Sequence, residues 1–303
     1  IAEDGTILRQ SERYKNEIIY SEIDLEKIVG ERRKNTTFSP EKLNCGCPVV
    51  VPFHVGICDT VLTRNFSQHP FVPSDEAARA HICDEILTIQ AMGLKKRLSH
   101  TNAKSAVVGI SGGLDSTLAL LVTAKAFDML GRDKKEIIAV TMPCFGTTDR
   151  TYNNACEMTR QTGATLIEVP IGEAVNVHFR DIGHDPDVHD VTYENAQARQ
   201  RTYLLMDFAN EHNGMVIGTG DMSELALGWA TYNGDHMSMY GVNAGVPKTL
   251  VRHLVKYFSD TCEDKELSDV LNDVLDTPVS PELLPPKDGK IAQKTEDLVG
   301  PYE

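Results

Sequence analysis

The fold of this chain is decided by the stretch Ala106-Val107-Val108-Gly109-Ile110-Ser111-Gly112-Gly113-Leu114-Asp115-Ser116-Thr117. A run of apolar residues leads directly into Ser-Gly-Gly, and a helical pattern begins at the next residue. Two glycines let the backbone approach an anion closely, and the amide groups at a helix start carry the positive end of the helix dipole. The stretch lacks the Gly-Lys-Ser/Thr of a Walker A loop and the G-x-G-x-x-G spacing. We therefore predict a strand, a phosphate-binding loop at residues 109–116 and a helix.

The carboxylate of Asp115 lies inside this predicted loop. It would repel phosphate oxygens directly, whereas Mg²⁺ between the two groups attracts both. Asp115 is therefore a candidate metal ligand, and the alternative is that it is only a helix-start residue. Further hydroxyl donors are supplied by Ser111, Ser116 and Thr117.

Strand and helix patterns alternate on both sides of the loop. The predicted strands are 105–110, 136–142, 165–169 and 215–219. The predicted helices between them are 114–130, 148–161 and 192–212. The first three strands are near-continuous apolar runs, as expected when both faces of a sheet are covered. Right-handed β-α-β connections then predict an α/β protein with an open, doubly wound parallel sheet.

The flanking regions predict further divisions of the chain. Residues 1–38 indicate a hairpin around Asp4-Gly5, a strand at 18–20 and a helix over 24–33, and they are too few to enclose a core. The proline-rich residues 39–74 indicate a linker. The main domain is expected at 75–277, with a C-terminal extension at 278–303.

A long amphipathic helix is predicted to begin at the cap Ser74. Its predicted apolar stripe consists of Ala78, Ile82, Ile86, Ile89, Met92 and Leu94. Near the C-terminus, the acidic run 259–276 indicates the solvated face of a helix pair.

Composition and charge disfavour several classes of function. The 303 residues carry a formal net charge of −14, which disfavours binding to the phosphate backbone of nucleic acids. No apolar run approaches the roughly 18 residues of a membrane span, and the first residues do not resemble a signal peptide. The 7 scattered cysteines suit a reducing compartment, so we expect a cytoplasmic protein without a membrane partner.

Two short motifs suggest metal binding but are better explained without it. Cys45-Gly46-Cys47 has no second pair at zinc spacing. The segment His184-Asp185-Pro186-Asp187-Val188-His189 is explained by a polar loop.

A second group of candidate residues follows the strand predicted at 215–219. Asp221 and Glu224 have the spacing of a capping box, so Glu224 either closes a helix start or faces a ligand. Polar, glycine-rich segments follow at 232–235 and 241–249. Such loops at the carboxyl end of a parallel strand usually carry function.

The motifs together resemble one enzyme family. Ser-Gly-Gly-Leu-Asp-Ser is similar to the pyrophosphate loop of the ATP pyrophosphatases. Residues 218–232, Gly-Thr-Gly-Asp-Met-Ser-Glu-Leu-Ala-Leu-Gly-Trp-Ala-Thr-Tyr, and 242–249, Val-Asn-Ala-Gly-Val-Pro-Lys-Thr, resemble the NAD synthetases, above all the glutamine-dependent, two-domain kind. Segments 69–73, 191–202, 281–283 and 300–302 are similar to further motifs of that family.

The resemblance implies a Rossmann-like ATP pyrophosphatase fold and a ligase. Such enzymes adenylate the carboxylate of deamido-NAD with ATP and Mg²⁺, release pyrophosphate, and form NAD and AMP with ammonia derived from glutamine. The resemblance also implies that residues 1–38 are the end of a nitrilase-like glutaminase domain whose active site lies upstream. A homo-oligomer built on a synthetase dimer is expected.

The resemblance also assigns roles to individual residues. The expected catalytic residues are Asp115, Asp235 and Lys248, and the expected Mg²⁺ ligands are Asp115 and Glu224. Expected ATP contacts are Gly109, Ile110, Ser111, Gly112, Gly113, Leu114, Asp115, Ser116, Thr219 and Lys248. Expected deamido-NAD contacts are Asn195, Arg199, Arg201, Glu224, Trp229, Ala230, Thr231 and Tyr232.

Several of these assignments have structural alternatives. Trp229 could be a core residue, Lys248 an exposed one and Asp235 a turn residue, while either Arg199 or Arg201 could contact the dinucleotide. Two other functions share the Ser-Gly-Gly loop. A tRNA-thiolating enzyme would want a catalytic cysteine pair and a basic face, and a nucleotide sensor would not need the Asp115–Glu224 pair.

Overall fold

The computed structural model describes residues 1–35, 75–234, 236–278 and 283–285, with residues 37, 49, 51–54, 56, 59, 61, 64, 71, 72 and 300. Predictions on Cys45, Cys47, Ser74 and Asp235 lie outside the described residues. So does most of the linker, of the C-terminal extension and of segments 69–73, 281–283 and 300–302. The chain divides into two compact units, Ile1–Ser67 and Gln68–Glu303.

The first unit contains a hairpin and a helix. Strands β1 (Ala2–Glu3) and β2 (Thr6–Ile7) pair antiparallel around Asp4 and Gly5, whose φ values of 47° and 76° suit a two-residue hairpin turn. Helix α1 (Leu25–Lys34) begins after Asp24, whose side chain accepts a hydrogen bond from the Lys27 amide. The predicted hairpin and helix are confirmed.

The strand predicted at 18–20 is wrong. The backbone there is irregular, and Ile18 and Tyr20 are 78% and 80% exposed. Three apolar residues form a strand only when another strand pairs with them, and no described segment of this unit does so. Among the described residues of the unit no apolar side chain is buried, as expected for so short a segment.

The second unit is built on a five-stranded parallel sheet with strand order β5-β4-β3-β6-β7. Its strands are β3 (Ser105–Gly109), β4 (Ile137–Thr141), β5 (Thr165–Glu168), β6 (Gly214–Gly218) and β7 (Tyr240–Gly241). The chain proceeds from β3 outward to β5 and then crosses to β6 on the other side of β3. The carboxyl ends of β3 and β6 therefore form the switch point at which such sheets bind ligands.

Helices cover both faces of this sheet. They are α2 (Glu76–Thr101), α3 (Leu114–Leu130), α4 (Asp149–Thr162), α5 (Gly172–Ile182), α6 (Val191–Glu211), α7 (Met222–Leu227), α8 (Lys248–Thr261) and α9 (Lys265–Leu275). Ala106 and Val108 belong to one apolar core cluster, and Val107 belongs to the other, on the opposite face. The doubly wound α/β fold and the four strands predicted before β7 are confirmed, apart from shifts of about one residue at their ends.

Helix α2 begins one residue later than expected, and of its predicted stripe Leu94 is buried and Ile86 packs against the core. Asp75 is the N-cap, and its carboxylate accepts from the Ala78 amide. Ile89 and Met92 of the predicted stripe are 64% and 49% exposed. The buried positions are Cys83, Leu87, Gln90, Ala91, Leu94 and Leu98. The packing of α3 and α8 against α2 decides which side is covered, and the spacing of apolar residues alone does not show this. No described helix has the length and hydropathy of a membrane span.

Candidate active site

The Ser-Gly-Gly loop connects the carboxyl end of β3 to the start of α3. Gly112 has a φ of 86°, and a Cβ placed on it would lie 2.1 Å from the carbonyl oxygen of Thr151 in α4. Glycine is thus required there both by the left-handed backbone and by the close approach of α4. Gly113 is the N-cap and makes no side-chain cap, so the first amides of α3 lack a capping side chain. The predicted strand–loop–helix is confirmed.

Hydroxyl groups hold this loop in shape. Ser116 Oγ donates to the Gly113 carbonyl at 3.1 Å, and Thr117 Oγ1 donates to the same oxygen at 2.8 Å. Ser111 Oγ accepts from the Gly113 amide at 3.2 Å. The loop is therefore held in shape by its own side chains.

The second candidate group lies at the carboxyl end of β6. Asp221 is the N-cap of α7, and its Oδ1 accepts from the Glu224 amide at 2.9 Å. Glu224 Oε2 accepts in return from the Asp221 amide at 3.2 Å, which completes a capping box. The capping function that the spacing predicts for Glu224 is thus present, and it engages only one of the two carboxylate oxygens.

Three carboxylates meet around one ammonium. Lys248 begins α8 and is 5% exposed, so the exposed alternative is wrong. Its Nζ lies 2.5 Å from Asp115 Oδ2, 2.7 Å from Asp221 Oδ2 and 3.4 Å from Glu224 Oε1. We call Asp115, Asp221, Glu224 and Lys248 the carboxylate–lysine cluster. Its single ammonium offsets one of three carboxylate charges and leaves an excess of negative charge.

The pKa values in the cluster reflect this crowding. Burial raises the pKa of Asp115, and the Asp221 carboxylate adds to the effect, although Lys248 opposes it. Burial likewise raises the pKa of Glu224 to about 7 against the effect of Lys248, with Asp115 and Asp221 contributing. Burial alone would lower the pKa of Lys248, but the three carboxylates together raise it above its usual range.

The cluster has the donor set of a divalent-cation site. One oxygen from each of Asp115, Asp221 and Glu224 lies within 4.8 Å of the others. The buried Asp115 Oδ1 has no hydrogen-bond partner among the described residues. Such a carboxylate oxygen is costly to bury unless a cation neutralises it, and oxygen ligands are those that Mg²⁺ prefers.

The histidine-containing loop forms no such site. The carboxylate cluster is the one metal-type group found in the part of the chain that the structure describes. The rings of His184 and His189 lie 5.1 Å from Phe179 and 4.5 Å from Tyr193, centroid to centroid. Both histidine rings therefore pack against aromatic residues of α5 and α6.

A cavity of about 390 Å³ opens above the cluster. Its wall includes Gly109, Ile110, Ser111, Gly113, Leu114, Asp115, Ser116, Thr219, Glu224, Trp229, Ala230, Lys248 and Arg201. The volume lies in the usual range for small-molecule sites. Of the predicted ATP contacts, Gly112 alone does not line the cavity, because it faces α4.

The two candidate arginines are separated by the structure. Arg201 lines the cavity, whereas Arg199 is exposed and its Nε donates to the carbonyl of Tyr232 at 3.1 Å. Arg201 is therefore the one placed to reach a ligand in the cavity.

Comparison with known proteins supports the resemblance to NAD synthetases. A family model described as NAD synthase matches residues 86–297. The chain belongs to the NAD synthase family. The glutamine-dependent NAD(+) synthetase of Mycobacterium leprae is 41% identical over 317 aligned residues, which cover 100% of this chain and 46% of that protein. The chain thus spans about half the length of the curated relatives that it matches.

Solved structures show the same fold. One is glutamine-dependent NAD+ synthetase from Acinetobacter baumannii in complex with ADP, 30% identical with a TM-score of 0.58, covering 62% of this chain and 35% of that one. Another is NMN synthetase from Francisella tularensis, 24% identical with a TM-score of 0.60, covering 73% and 82% of the two chains. The second likeness concerns the fold alone.

The residues that resemble the dinucleotide contacts of NAD synthetases divide into two groups. Trp229 and Ala230 line the cavity, and Trp229 belongs to neither apolar core cluster, so core packing does not explain it. Asn195, Thr231 and Tyr232 lie outside the cavity wall, with Asn195 Oδ1 accepting from Thr231 Oγ1 at 3.2 Å. Tyr232 is 74% exposed and stacks on His236.

Three residues in or next to the carboxylate–lysine cluster were missed as functional candidates. Asp221 was considered only as a capping residue, yet its side chain is fully buried against Lys248. Asn243 and Gln90 form a buried hydrogen-bonded pair beneath the cluster. The sequence could have indicated a functional role for Asp221, because this carboxylate follows the carboxyl end of a strand and precedes Glu224 by three residues. Nothing in the sequence pattern pairs Gln90 with Asn243.

Proposed function

We propose that this chain catalyses ATP-dependent amidation of deamido-NAD to NAD through an adenylated intermediate. The observation that carries the proposal is the meeting of a phosphate-type loop and the carboxylate–lysine cluster at one cavity. Membership of the NAD synthase family and the names of the relatives support the choice of substrates.

The reaction needs activation because a carboxylate does not react with an amine. The nicotinate carboxylate oxygen attacks the α-phosphorus of ATP, and the bond to the leaving pyrophosphate breaks. Ammonia then attacks the acyl carbon of the adenylate, AMP leaves, and ammonia gives up a proton. Most of the protein's contribution is positioning and neutralisation of charge.

The described residues suit the first step. The amides at the start of α3 and the hydroxyls of Ser111 and Ser116 would bind the β- and γ-phosphates. Asp115 and Glu224 would hold Mg²⁺, with Asp221 as a third carboxylate. Bound there, Mg²⁺ supplies positive charge to the phosphate oxygens and the leaving pyrophosphate. Lys248 lines the same cavity as the loop, so its ammonium would also neutralise charge on the phosphates.

The proposed dinucleotide contacts lie farther along the same loops. Trp229 and Ala230 would contact deamido-NAD inside the cavity, together with Arg201. Asn195, Thr231 and Tyr232 would extend this surface at the mouth, with Arg199 supporting the Tyr232 carbonyl. Asp235 remains a prediction for the ammonia site.

The proposal extends to a longer assembly. Relatives named glutamine-dependent are about twice as long as this chain, so residues 1–38 would be the end of a glutaminase domain that supplies ammonia. We also propose a dimer of synthetase units. The resemblance to NAD synthetases supports this proposal, and Tyr203, Leu225 and Leu227 offer apolar side chains that are 62%, 55% and 55% exposed.

The experiment is incubation of the chain with ATP, Mg²⁺, deamido-NAD and ammonium, with NAD and AMP quantified by chromatography. We expect one AMP per NAD, and loss of both products when EDTA replaces Mg²⁺. Nicotinate mononucleotide in place of the dinucleotide tests the substrate, and we expect little product from it. AMP without NAD, or preference for the mononucleotide, would contradict the proposed function.

A further inference from the structure

Asn243 connects the two backbone segments that carry the cluster carboxylates. It is fully buried, and its Nδ2 donates to the carbonyl of Asp115 at 2.9 Å and to the carbonyl of Thr219 at 3.0 Å. Asp115 belongs to the first turn of α3, and Thr219 follows β6 two residues before Asp221. One amide group therefore links both sides of the cluster.

The orientation of this amide is set from behind by Gln90 of α2. Gln90 Nε2 donates to Asn243 Oδ1 at 3.2 Å and to the Val242 carbonyl at 2.9 Å. If the Asn243 amide were reversed, its oxygen would face two carbonyl oxygens and its NH₂ group would face that of Gln90. The donor and acceptor pattern thus permits one arrangement only.

The like charges of the cluster need such a restraint. Three carboxylates within 4.8 Å of one another repel, and the effect is strong where water is excluded. Asn243 holds their backbones together without adding charge. Neither Asn243 nor Gln90 lines the cavity, so neither is placed to touch a nucleotide there.

We propose that Asn243, oriented by Gln90, is a positioning residue that fixes the spacing of Asp115 from Asp221 and Glu224 and so sets the affinity of the cluster for a divalent cation. The inference rests on the metal site of the proposed function. Partners that orient metal ligands contribute about 10–100-fold to affinity in other proteins. An effect of that order is expected for Asn243.

The test measures binding of Mn²⁺ alone, by electron paramagnetic resonance of the free ion, in the absence of nucleotide. Asn243→Leu keeps the size but removes all hydrogen bonds of this side chain, and Gln90→Met removes the donor to Asn243 Oδ1 and to the Val242 carbonyl. We expect Kd for Mn²⁺ to rise about tenfold in Asn243→Leu and about threefold in Gln90→Met. The double variant should bind no more weakly than Asn243→Leu, because Gln90 acts through Asn243.

Thr123→Val provides the matched control. Thr123 is fully buried in α3, and its hydroxyl donates to the Ala119 carbonyl away from the cavity. This variant should lose some stability yet keep the Mn²⁺ affinity of the wild type. A general loosening of the fold would instead weaken Mn²⁺ binding in all variants in proportion to their Tm, which overturns the inference.

The remaining outcomes separate the two proposals. Wild-type protein that binds no Mn²⁺ contradicts the metal site of the proposed function, and the inference with it. Wild-type binding with unchanged affinity in both variants overturns the inference alone. If Asn243→Leu does not fold, Gln90→Met decides, and an unchanged Kd in that variant overturns the inference.

Discussion

The ammonium of Lys248 lies 2.5 Å from Oδ2 of Asp115, although 133 positions separate the two residues in the chain. Each begins a helix, Asp115 in the first turn of α3 and Lys248 at the start of α8. The resemblance to NAD synthetases predicted that Lys248 faces phosphates and that Asp115 faces a metal. The structure brings the two together, so the same ammonium that is predicted to face phosphates also contacts the three carboxylates.

Lys248→Met should destabilise the metal-free protein more than it destabilises the Mg²⁺-bound one. The substitution leaves Asp115, Asp221 and Glu224 without their cation, and breaking a buried ion pair in this way costs about 3–5 kcal/mol. A divalent ion can replace the lost charge. We therefore expect millimolar Mg²⁺ to raise the Tm of the variant by several degrees more than that of the wild type, in differential scanning fluorimetry. An equal response of both proteins would show that Mg²⁺ does not replace the charge of Lys248 in the cluster.

Asp115→Asn should abolish adenylation while the fold is retained. Asparagine keeps the shape and the backbone carbonyl that Asn243 binds, but it lacks the charge that Mg²⁺ requires. Pyrophosphate release should fall at least tenfold at saturating ATP, corresponding to about 1.4 kcal/mol or more of lost transition-state stabilisation. Circular dichroism should be unchanged. If the variant matched the wild type in turnover and Mg²⁺ dependence, Asp115 would be only a helix-start residue.

Glu224→Gln separates the capping role of this residue from its charge. The glutamine oxygen can still accept from the Asp221 amide, so α7 should keep its capping box. We expect a higher Mg²⁺ requirement and adenylation slowed by about tenfold or more. Normal adenylation at limiting Mg²⁺ would exclude Glu224 from the metal site.

The same variant should change how stability depends on pH when EDTA is present. The pKa of Glu224 is raised from 4.5 to about 7, so the folded protein binds this proton more tightly than the unfolded chain does. The resulting stability is fully present below about pH 4.5 and is lost as pH rises through about 7. Glutamine does not ionise, so the Tm of Glu224→Gln relative to wild type should increase between about pH 5 and pH 8. A constant difference would contradict the raised pKa.

Gly112→Ala should damage the phosphate loop far more than Gly131→Ala damages its own turn. Both glycines have positive φ, 86° and 64°, but only at Gly112 would a Cβ meet backbone, the Thr151 carbonyl. Around Gly131 there is open space, so alanine there should cost about 1 kcal/mol and leave kcat/KM for ATP unchanged. Gly112→Ala should lower kcat/KM by about a hundredfold, because α4 or the loop must move. Equal effects in steady-state kinetics would show that the loop tolerates this displacement.

Local patterns were sufficient for most of the fold. The strand–loop–helix around Gly112 could be predicted because sheet burial and turn geometry depend on residues adjacent in the chain. The buried face of α2 could not be predicted in this way. Ile89 and Met92 fit a helical period, but the neighbouring helices decide which face is covered. The two-residue strand β7 is too short to leave a periodic pattern.

The sequence by itself determined the α/β class, the phosphate-type loop and Asp115 as a candidate metal ligand, because each depends on a short contiguous segment. Glu224 became a candidate metal ligand through the resemblance to NAD synthetases. Tertiary structure alone decided that Asp221 completes the carboxylates, that Lys248 lies among them and that Arg201 rather than Arg199 reaches the cavity. It also brought Gln90 to Asn243, 153 positions away in the chain. Such contacts depend on how α2, α3 and α8 pack around the end of the sheet. A local sequence pattern does not contain the distance between residues that come together only through this packing.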